Sequence, residues 1–213
     1  MSTQLYLIRH GRQLSADADY SVVIPDGEDG LTERGFEQAR KLGAYLAQHV
    51  RPEVLYASPL LRARQTAQAV SEATGLPIDL RDDLRELDLA VPPGSTPGQI
   101  MDLWLSVRRH VDERASPGSE TWREVQQRAV AALAAIVAAE AGRKVAVISH
   151  GGVIETLFFH FLGIPLENNL KAFVNIRHTA MFHWRPFSIG GHHGWELVTA
   201  NDTCHLMDHE STF

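Results

Sequence analysis

Two short apolar segments of this chain end in almost the same way, and they restrict its fold more than any other feature. Residues 5–8 are followed by Arg-His-Gly, and residues 145–149 are followed by His-Gly-Gly. An unbroken apolar run of this length is typical of a strand buried on both faces, as in a parallel sheet covered by helices. Because charged side chains are costly to bury unpaired, each strand end must reach either solvent or an anion.

Strand and helix signals alternate along the rest of the chain. Strands are predicted at residues 3–9, 53–58, 76–80, 144–149, 179–184 and 195–200. Apolar residues at helical spacing predict helices that start at Thr32, at Ser58 with Pro59 in the first turn, at Thr121 and at Gly151. This alternation predicts an α/β fold, a three-layer sandwich with a central mostly parallel sheet flanked by helices.

Residues 90–118 break this alternation. Prolines and glycines bracket a helical piece at about residues 100–111, which is too small to hold a core of its own. We therefore predict a small helical cap inserted in a single domain that spans residues 1–213. The apolar and basic side chains of the cap fit either a wall over the substrate or a docking surface on the core; they are Met101, Leu103, Trp104, Arg108, Arg109 and His110.

Net charge and cysteine content restrict the partners and the cellular compartment of the chain. The net charge of −6 argues against a general affinity for nucleic acid or anionic membranes, but it allows a small anionic substrate. Cys204 is the only cysteine, so an intramolecular disulfide is impossible and a reducing compartment is favoured. The sequence shows no apolar segment typical of a signal peptide or a membrane span. We therefore predict a cytoplasmic protein without a nucleic-acid or membrane partner.

The two matching segments also predict a functional site. The carboxyl ends of neighbouring parallel strands meet at one edge of a sheet, where α/β proteins bind ligands. If the strands at 3–9 and 144–149 are neighbours, His10 and His150 meet there, with Arg9 beside them. Gly151 then begins a helix whose free N–H groups favour an anion.

Two further side chains belong to the same predicted edge. Arg62 falls in the first turns of the helix after the second strand, and its planar guanidinium suits a phosphate. Arg64 follows it, but we expect Arg64 to be exposed or structural. Glu86 comes after the third strand. Imidazoles, guanidiniums and a carboxylate together fit phosphoryl transfer, because a neutral histidine accepts a phosphoryl group and a carboxyl group moves the protons.

Five segments in order resemble those of the histidine phosphatase superfamily, in its phosphoglycerate mutase-like branch. They are "LIRHG", "LTERGFEQA", "SPLLRARQTA", "LRELDL" and "VISHGG". The resemblance implies an α/β fold, no metal and no other cofactor. It also implies that His10 is the phosphorylated nucleophile, that Arg9, Arg62 and His150 hold phosphate, and that Glu86 is the proton donor.

The chain departs from the family pattern at two positions. Members of this family usually carry Glu directly after "RHG", where this chain has Arg12. They often carry Asn four residues further on, where this chain has Ala16. Both changes affect the expected choice of substrate, whereas the residues of the core chemistry are all present.

Three functions are open at this point. We expect a metal-independent phosphomonoesterase that forms a phosphohistidine and acts on a small phosphorylated substrate. The alternatives are a phosphoglycerate-type mutase and a non-catalytic protein that binds a phosphorylated ligand. The segment between Glu86 and His150 is shorter than in the glycolytic mutases of the family, which disfavours the mutase. We expect no metal site, since His178 and His183 would face opposite sides of a predicted strand. A homodimer is compatible with the sequence.

Overall fold

A computed structural model of the protein describes residues 2–17, 24, 28–171 and 173–207. Within these residues one sheet of six strands is flanked by helices. The strands are β1 (Gln4–Arg9), β2 (Val54–Ala57), β3 (Ile78–Leu80), β4 (Lys144–Ser149), β5 (Met181–Ile189) and β6 (His192–Asp202). The α-helices are α1 (Leu14–Asp17), α2 (Glu33–Tyr45), α3 (Leu61–Thr74), α4 (Pro97–Arg109), α5 (Trp122–Ala139) and α6 (Gly151–Phe161).

The sheet has the strand order β3-β2-β4-β1-β5-β6. The first four strands in this order are parallel, whereas β5 runs antiparallel to β1 and β6 runs antiparallel to β5. In the pairing of β1 with β4, Arg9 lies opposite Ser149. The residues that follow these two strands, His10 and His150, therefore leave the same edge of the sheet.

Helices cover both faces of the sheet. Alternate residues of β1 and β4 point to opposite sides, as the period of a strand requires. One set joins the core under α5 and α6, and it includes Leu5, Leu7, Val145 and Val147. The other set joins the core under α2 and α3, and it includes Ile8, Ala146 and Ile148. The predicted three-layer sandwich with a mostly parallel sheet is confirmed.

Several element boundaries differ from the sequence prediction. The predicted N-cap at Ser58 is wrong, because α3 begins at Leu61 after Leu60, which provides no side-chain cap. β5 begins at Met181, two residues later than predicted, and continues to Ile189, while β6 extends beyond residues 195–200 at both ends. The two strands are long because they pair with each other as a hairpin. Thr32 and Thr121 do cap their helices through side-chain hydrogen bonds to backbone N–H groups.

The inserted segment 90–118 contains α4, which begins at a capping box formed by Thr96 and Gln99. Its Arg108 is buried between the rings of Trp104 and Trp122 and forms an ion pair with Glu155 of α6. Arg108 therefore docks the cap on the core and is not a basic group on a substrate-facing wall. We interpret the chain as one domain with this insertion.

No helix in the described residues has both the length and the apolar character needed to cross a membrane.

Candidate active site

His10 and His150 lie side by side at the edge formed by β1 and β4. Their ring centroids are 5.1 Å apart, with an angle of 59° between the ring planes. Both side chains are buried, and the pKa of each is lowered well below its usual value, first by burial. Nearby positive charge on Arg62 and Arg9 lowers both pKa values further. Both rings are therefore neutral near pH 7.

The orientation of the His10 ring is set by its own backbone. His10 Nδ1 lies 2.7 Å from the carbonyl oxygen of Gly11. A carbonyl oxygen can only accept a hydrogen bond, so Nδ1 carries the ring hydrogen. The lone pair is consequently on Nε2, which makes Nε2 the nucleophilic atom of the ring.

The two ring nitrogens of His150 have different surroundings. Its Nε2 lies 2.7 Å from Ser58 Oγ. Its Nδ1 is buried and has no hydrogen-bond partner among the described residues. Because buried polar atoms are nearly always paired, this nitrogen is a natural contact for a bound ligand. Ser58, predicted as a helix cap, thus contacts the His150 ring instead.

The guanidinium of Arg62 is placed by the first turns of α3. It is buried, and its Nη1 lies 3.5 Å from Oδ2 of the buried Asp29. The backbone N–H and the hydroxyl of Ser15 also donate to Asp29, each at 2.9 Å. Asp29 therefore shares its negative charge between Arg62 and other donors.

Backbone and hydroxyl contacts join the His10 turn to α3. The N–H of Gly11 donates to Thr66 Oγ1 at 3.0 Å, and this hydroxyl donates to the carbonyl of Arg62 at 2.8 Å. A Cβ at Gly11 would come within 2.6 Å of the Gly35 carbonyl, so the turn packs directly on the start of α2. A side chain at position 11 or 35 would clash with backbone atoms at this contact, which explains why both residues are glycine.

Arg9 and Gly151 lie next to each other beside the two histidines. Arg9 Nη1 donates to the carbonyl of Ile176 at 2.5 Å. A Cβ added to Gly151 would lie 3.7 Å from Arg9 Nε, which is an ordinary contact distance. The start of α6 and the Arg9 side chain therefore border the same space.

Glu86 sits on the amino end of α6. The N–H of Gly152 donates to Glu86 Oε2, and the N–H of Leu87 donates to Oε1, both at 3.0 Å. A Cβ at Gly152 would overlap the Glu86 carboxylate and come within 2.9 Å of Trp122. Glycine at this position is thus required for the observed placement of the carboxylate.

Arg128 of α5 holds the backbone around Glu86. Its Nη1 donates to the carbonyl of Arg85 at 2.7 Å, and its Nη2 donates to the carbonyl of Glu86 at 3.2 Å. The structure thus gathers all the predicted site residues at one edge of the sheet, where neutral imidazoles, positive charge and a carboxylate are combined; they are Arg9, His10, Arg62, Glu86, His150 and Gly151.

A family model matches almost the whole chain. The family described as "Histidine phosphatase superfamily (branch 1)" matches residues 5–203. The chain belongs to the histidine phosphatase superfamily. The resemblance found in the sequence is thereby confirmed.

Curated relatives within the superfamily carry a mutase name. A protein of Salmonella paratyphi C named "Probable phosphoglycerate mutase GpmB" is 28% identical over 210 residues, which cover 95% of this chain and 94% of the relative. The protein of the same name from Yersinia pestis (strain Pestoides F) is 30% identical over 216 residues, with the same coverage.

Solved structures of similar fold include phosphatases. Bacillus stearothermophilus YhfR superposes with a TM-score of 0.79 at 28% identity, covering 96% of this chain and 99% of the other. A mycobacterial glucosyl-3-phosphoglycerate phosphatase complexed with VO3 gives a TM-score of 0.77 at 26% identity, covering 92% and 97%. A phosphoserine phosphatase of Entamoeba histolytica, at 21% identity with a TM-score of 0.76, shows the fold alone; it covers 96% of this chain and all of the other.

The two departures from the superfamily pattern lie together. Arg12 forms an ion pair with Asp17 and donates to the carbonyl of Ala16 at 2.9 Å. The guanidinium of Arg12 thus braces the short helix α1. Residues 18–23 and 25–27, which follow this helix in the chain, lie outside the described residues.

Sequence reasoning missed His178 as a neighbour of His10. The prediction placed it on a strand, whereas the structure places it in a turn before β5, with its ring centroid 5.9 Å from that of His10. The turn could not be foreseen, since Thr179 within it has a φ of 57°, which is rare for a β-branched residue. Asp29 and Ser58 were also missed, because only the packing of distant segments brings them to Arg62 and His150.

Among the described residues, no group of three or more histidine, cysteine, aspartate or glutamate side chains is arranged to hold a metal ion.

Proposed function

We propose that this protein is a metal-independent phosphomonoesterase that acts on a small phosphorylated metabolite through a phosphohistidine at His10. The observation that carries the proposal is the state of the His10 ring. The hydrogen bond from Nδ1 to the Gly11 carbonyl leaves the Nε2 lone pair available, and burial keeps the pKa of the ring low. A neutral imidazole in a positively charged pocket is the reactive form for attack on a phosphate ester.

The phosphoryl group is held by the positive edge of the sheet. Arg9 and Arg62 supply permanent charge for its oxygens. If the Ser58 hydroxyl donates to His150 Nε2, the hydrogen of this ring is on Nδ1, the nitrogen without a protein partner. His150 then donates this hydrogen to a phosphoryl oxygen, and the N–H groups at the start of α6 add further positive potential.

In the first step, His10 Nε2 attacks phosphorus in line with the leaving oxygen. The N–P bond forms as the P–O bond to the alcohol breaks. Protonated Glu86 gives its proton to the departing oxygen, so the alcohol leaves neutral. The contacts with the N–H groups of Gly152 and Leu87 fix the direction of the Glu86 carboxyl group for this transfer.

In the second step, water replaces the alcohol. Glu86, now a carboxylate, takes a proton from this water as its oxygen attacks phosphorus. The N–P bond breaks, inorganic phosphate forms, and Glu86 and the neutral His10 ring return to their starting states. The two steps need one acid–base residue and no redox change.

The comparisons support this reaction class at different levels. Similarity at 26% identity to a mycobacterial glucosyl-3-phosphoglycerate phosphatase favours a hydrolase. The mutase name of relatives at 28–30% identity favours a second candidate, in which the phosphohistidine returns its phosphoryl group to an alcohol instead of water. We propose hydrolysis as the main activity and a cytoplasmic location, the latter because Cys204 is the sole cysteine.

The test is hydrolysis of p-nitrophenyl phosphate in excess EDTA by wild type and by His10→Ala. We expect turnover in the wild type and a loss on the order of 10⁴-fold or more in the variant, as for other removed nucleophiles. His160→Ala is the matched control, since His160 is an exposed histidine near the far end of α6. Loss of wild-type turnover on chelation, or full turnover in His10→Ala, would contradict the proposal.

A second assay separates the two candidate reactions. The enzyme is incubated with 3-phosphoglycerate and a bisphosphoglycerate primer, and the products are quantified by phosphorus NMR. A hydrolase releases inorganic phosphate, whereas a mutase forms 2-phosphoglycerate faster than it releases phosphate. Absence of an acid-labile phosphorylated protein in both assays would favour the non-catalytic alternative.

A further inference from the structure

A second imidazole flanks the nucleophile on the side opposite His150. In the sheet, β1 lies between β4 and β5, so His10 at its end has neighbours on both sides. His150 follows β4, and His178 precedes β5, which begins at the same edge because it is antiparallel to β1. The ring of His178 lies 5.9 Å from that of His10 at 53°, within the contact range of aromatic pairs.

The turn that carries His178 is strained and closely held. Thr179 has a φ of 57°, a left-handed conformation that costs energy for a β-branched residue. Its N–H donates to the carbonyl of His10 at 3.2 Å, and its hydroxyl donates to the carbonyl of His178 at 2.7 Å. His205 Nε2 donates to the same hydroxyl at 2.9 Å. Strained backbone is often found at functional sites, where the surrounding contacts maintain it. The strain at Thr179, next to His10, therefore indicates a role for His178, which this turn positions.

The His178 side chain is fixed as firmly as its backbone. It is fully buried, and its Nε2 lies 3.0 Å from Oε1 of the buried Gln13. Since Gln13 directly follows the segment of His10–Arg12, one short stretch of chain supplies both the nucleophile and the partner of His178. The two imidazoles therefore keep a constant relative position.

We propose that His178 is a positioning residue for the nucleophile, whose ring packs against His10 and fixes the plane in which Nε2 attacks phosphorus. This inference rests on the proposed function. The second torsion of a histidine side chain is broad, so the hydrogen bond to Gly11 needs a second constraint to fix the ring. A small misplacement of an attacking atom lowers the rate strongly.

The groups around His10 lower its pKa as well as fixing its position. His150, Arg62, Arg9 and His178 all face the ring, and each lowers the pKa of His10 in addition to burial. Removal of the His178 imidazole therefore raises this pKa and moves the acidic limb of the pH profile of kcat/KM to higher pH. Loss of packing alone elsewhere in the core would leave that limb in place.

The experiment compares wild type with His178→Ala and His178→Phe, using p-nitrophenyl phosphate and inorganic phosphate as a competitive inhibitor. We expect kcat to fall about tenfold or more in His178→Ala, because a displaced ring loses the geometry of attack. The inhibition constant of phosphate stays within threefold of wild type, since Arg9, Arg62 and His150 remain. His178→Phe restores a packing ring without the imidazole that lowers the pKa of His10, so kcat recovers while the acidic limb stays shifted.

His183→Ala is the matched control. His183 lies on β5 and stacks on Tyr6 at 4.3 Å, so its loss leaves kcat unchanged. The proposal is wrong if kcat is unchanged in folded His178→Ala, if kcat and the phosphate inhibition constant change in parallel, or if His178→Phe is as slow as His178→Ala.

Nitrogen-detected NMR of the imidazole rings tests the same proposal without turnover. In wild type, we expect His10 to show hydrogen on Nδ1 alone. In His178→Ala or His178→Phe, the pKa of His10 rises, and in His178→Ala the tautomers mix as the ring becomes mobile. An unchanged His10 spectrum would overturn the inference even if the wild type proved to have no phosphatase activity. Absence of wild-type turnover by itself contradicts only the proposed function.

Discussion

Two buried arginines, Arg62 at the candidate active site and Arg108 in the cap, show how differently this fold uses the same side chain. Arg108 meets Glu155 directly, and its guanidinium lies 4.2 and 4.9 Å from the ring centroids of Trp104 and Trp122. Arg62 lies 3.5 Å from Asp29, and both carboxylates, Asp29 and Glu155, also accept a hydrogen bond from another residue.

The two arginines differ in which groups their positive charge acts on. The charge of Arg108 is matched at short range by one carboxylate, so it stabilises the docking of α4 on α6. The charge of Arg62 lowers the pKa of both His10 and His150, which shows that its field extends into the site. A buried cation whose field reaches the two histidines is suited to a phosphate, whereas one that meets a carboxylate at short range is suited to structure.

Replacement of Arg62 should have the largest effect on catalysis. We expect Arg62→Gln to lower kcat/KM on the order of 10³-fold, because it removes a charge that we propose to stabilise the phosphoryl group in the transition state. Arg64→Gln is the control, since Arg64 lies on the same helix and is exposed. Steady-state kinetics with p-nitrophenyl phosphate measures both. A similar loss in the two variants would remove the distinction between the site arginine and its neighbour.

Replacement of Arg108 should act on stability instead. Arg108→Ala leaves the buried Glu155 without its cation, so the free energy of unfolding should fall by about 3–5 kcal/mol. Urea denaturation at pH 7 measures the loss, and the inhibition constant of inorganic phosphate should stay at the wild-type value. The paired variant Arg108→Met with Glu155→Leu should lose less than the single variant. If Arg108→Ala weakened phosphate inhibition instead, the cap arginine would belong to the active site.

Helix α6 joins the two regions, so a change at its first turn tests the active-site end alone. Gly152→Ala should lower kcat about 10- to 100-fold, because the new methyl group displaces the Glu86 carboxyl group, the proposed acid and base. The loss should be greater for alkyl phosphates than for p-nitrophenyl phosphate, whose leaving group needs less protonation. Gly98→Ala is the control at the same position of α4, where a Cβ meets only Thr96 Oγ1 at 4.0 Å. An equal loss of kcat in both variants would show that a methyl group at either helix start slows the reaction, whether or not it contacts Glu86.

The smallest expected effect is on the pH dependence of stability. The folded-state pKa values of His10 and His150 are lowered, so below pH 6.5 the unfolded chain binds protons that the folded protein does not. The free energy of unfolding should therefore decrease as the pH falls below about 6.5, by up to about 1.4 kcal/mol per pH unit for each histidine. Urea denaturation between pH 5 and 7 should show a shallower dependence for His150→Asn than for wild type or for His160→Ala. An unchanged slope in His150→Asn would contradict the low proton affinity of this ring.

The sequence predicted much of the fold and of the site because the signals are local. Apolar runs, helix caps at Thr32 and Thr121, and the cap segment between prolines each depend on residues close in the chain. His10 and His150 could be placed at one edge because each directly follows a buried strand. The ends of the antiparallel strands were less well predicted, since β5 and β6 are extended by pairing with each other.

Residue types in a segment did not reveal which partner each side chain would have. Ser58 matched a helix cap, yet its hydroxyl meets His150, ninety-two residues away in the chain. Arg108 matched a basic spot over the substrate, yet it is buried against Glu155. In both cases, a polar group was satisfied by a distant partner that only close packing brings near.

By itself, the sequence determined the alternation of strands and helices and the chemical groups that leave the strand ends, because periodicity and strand termination are local properties of the chain. The tertiary structure decided the neighbours of those groups. Strand order sets β5 beside β1, which brings His178 to His10, and the packing of the segment before α2 on α3 brings Asp29 to Arg62. Proton affinity and charge balance depend on such neighbours and on burial, so they arise only when the folded chain excludes water from the site.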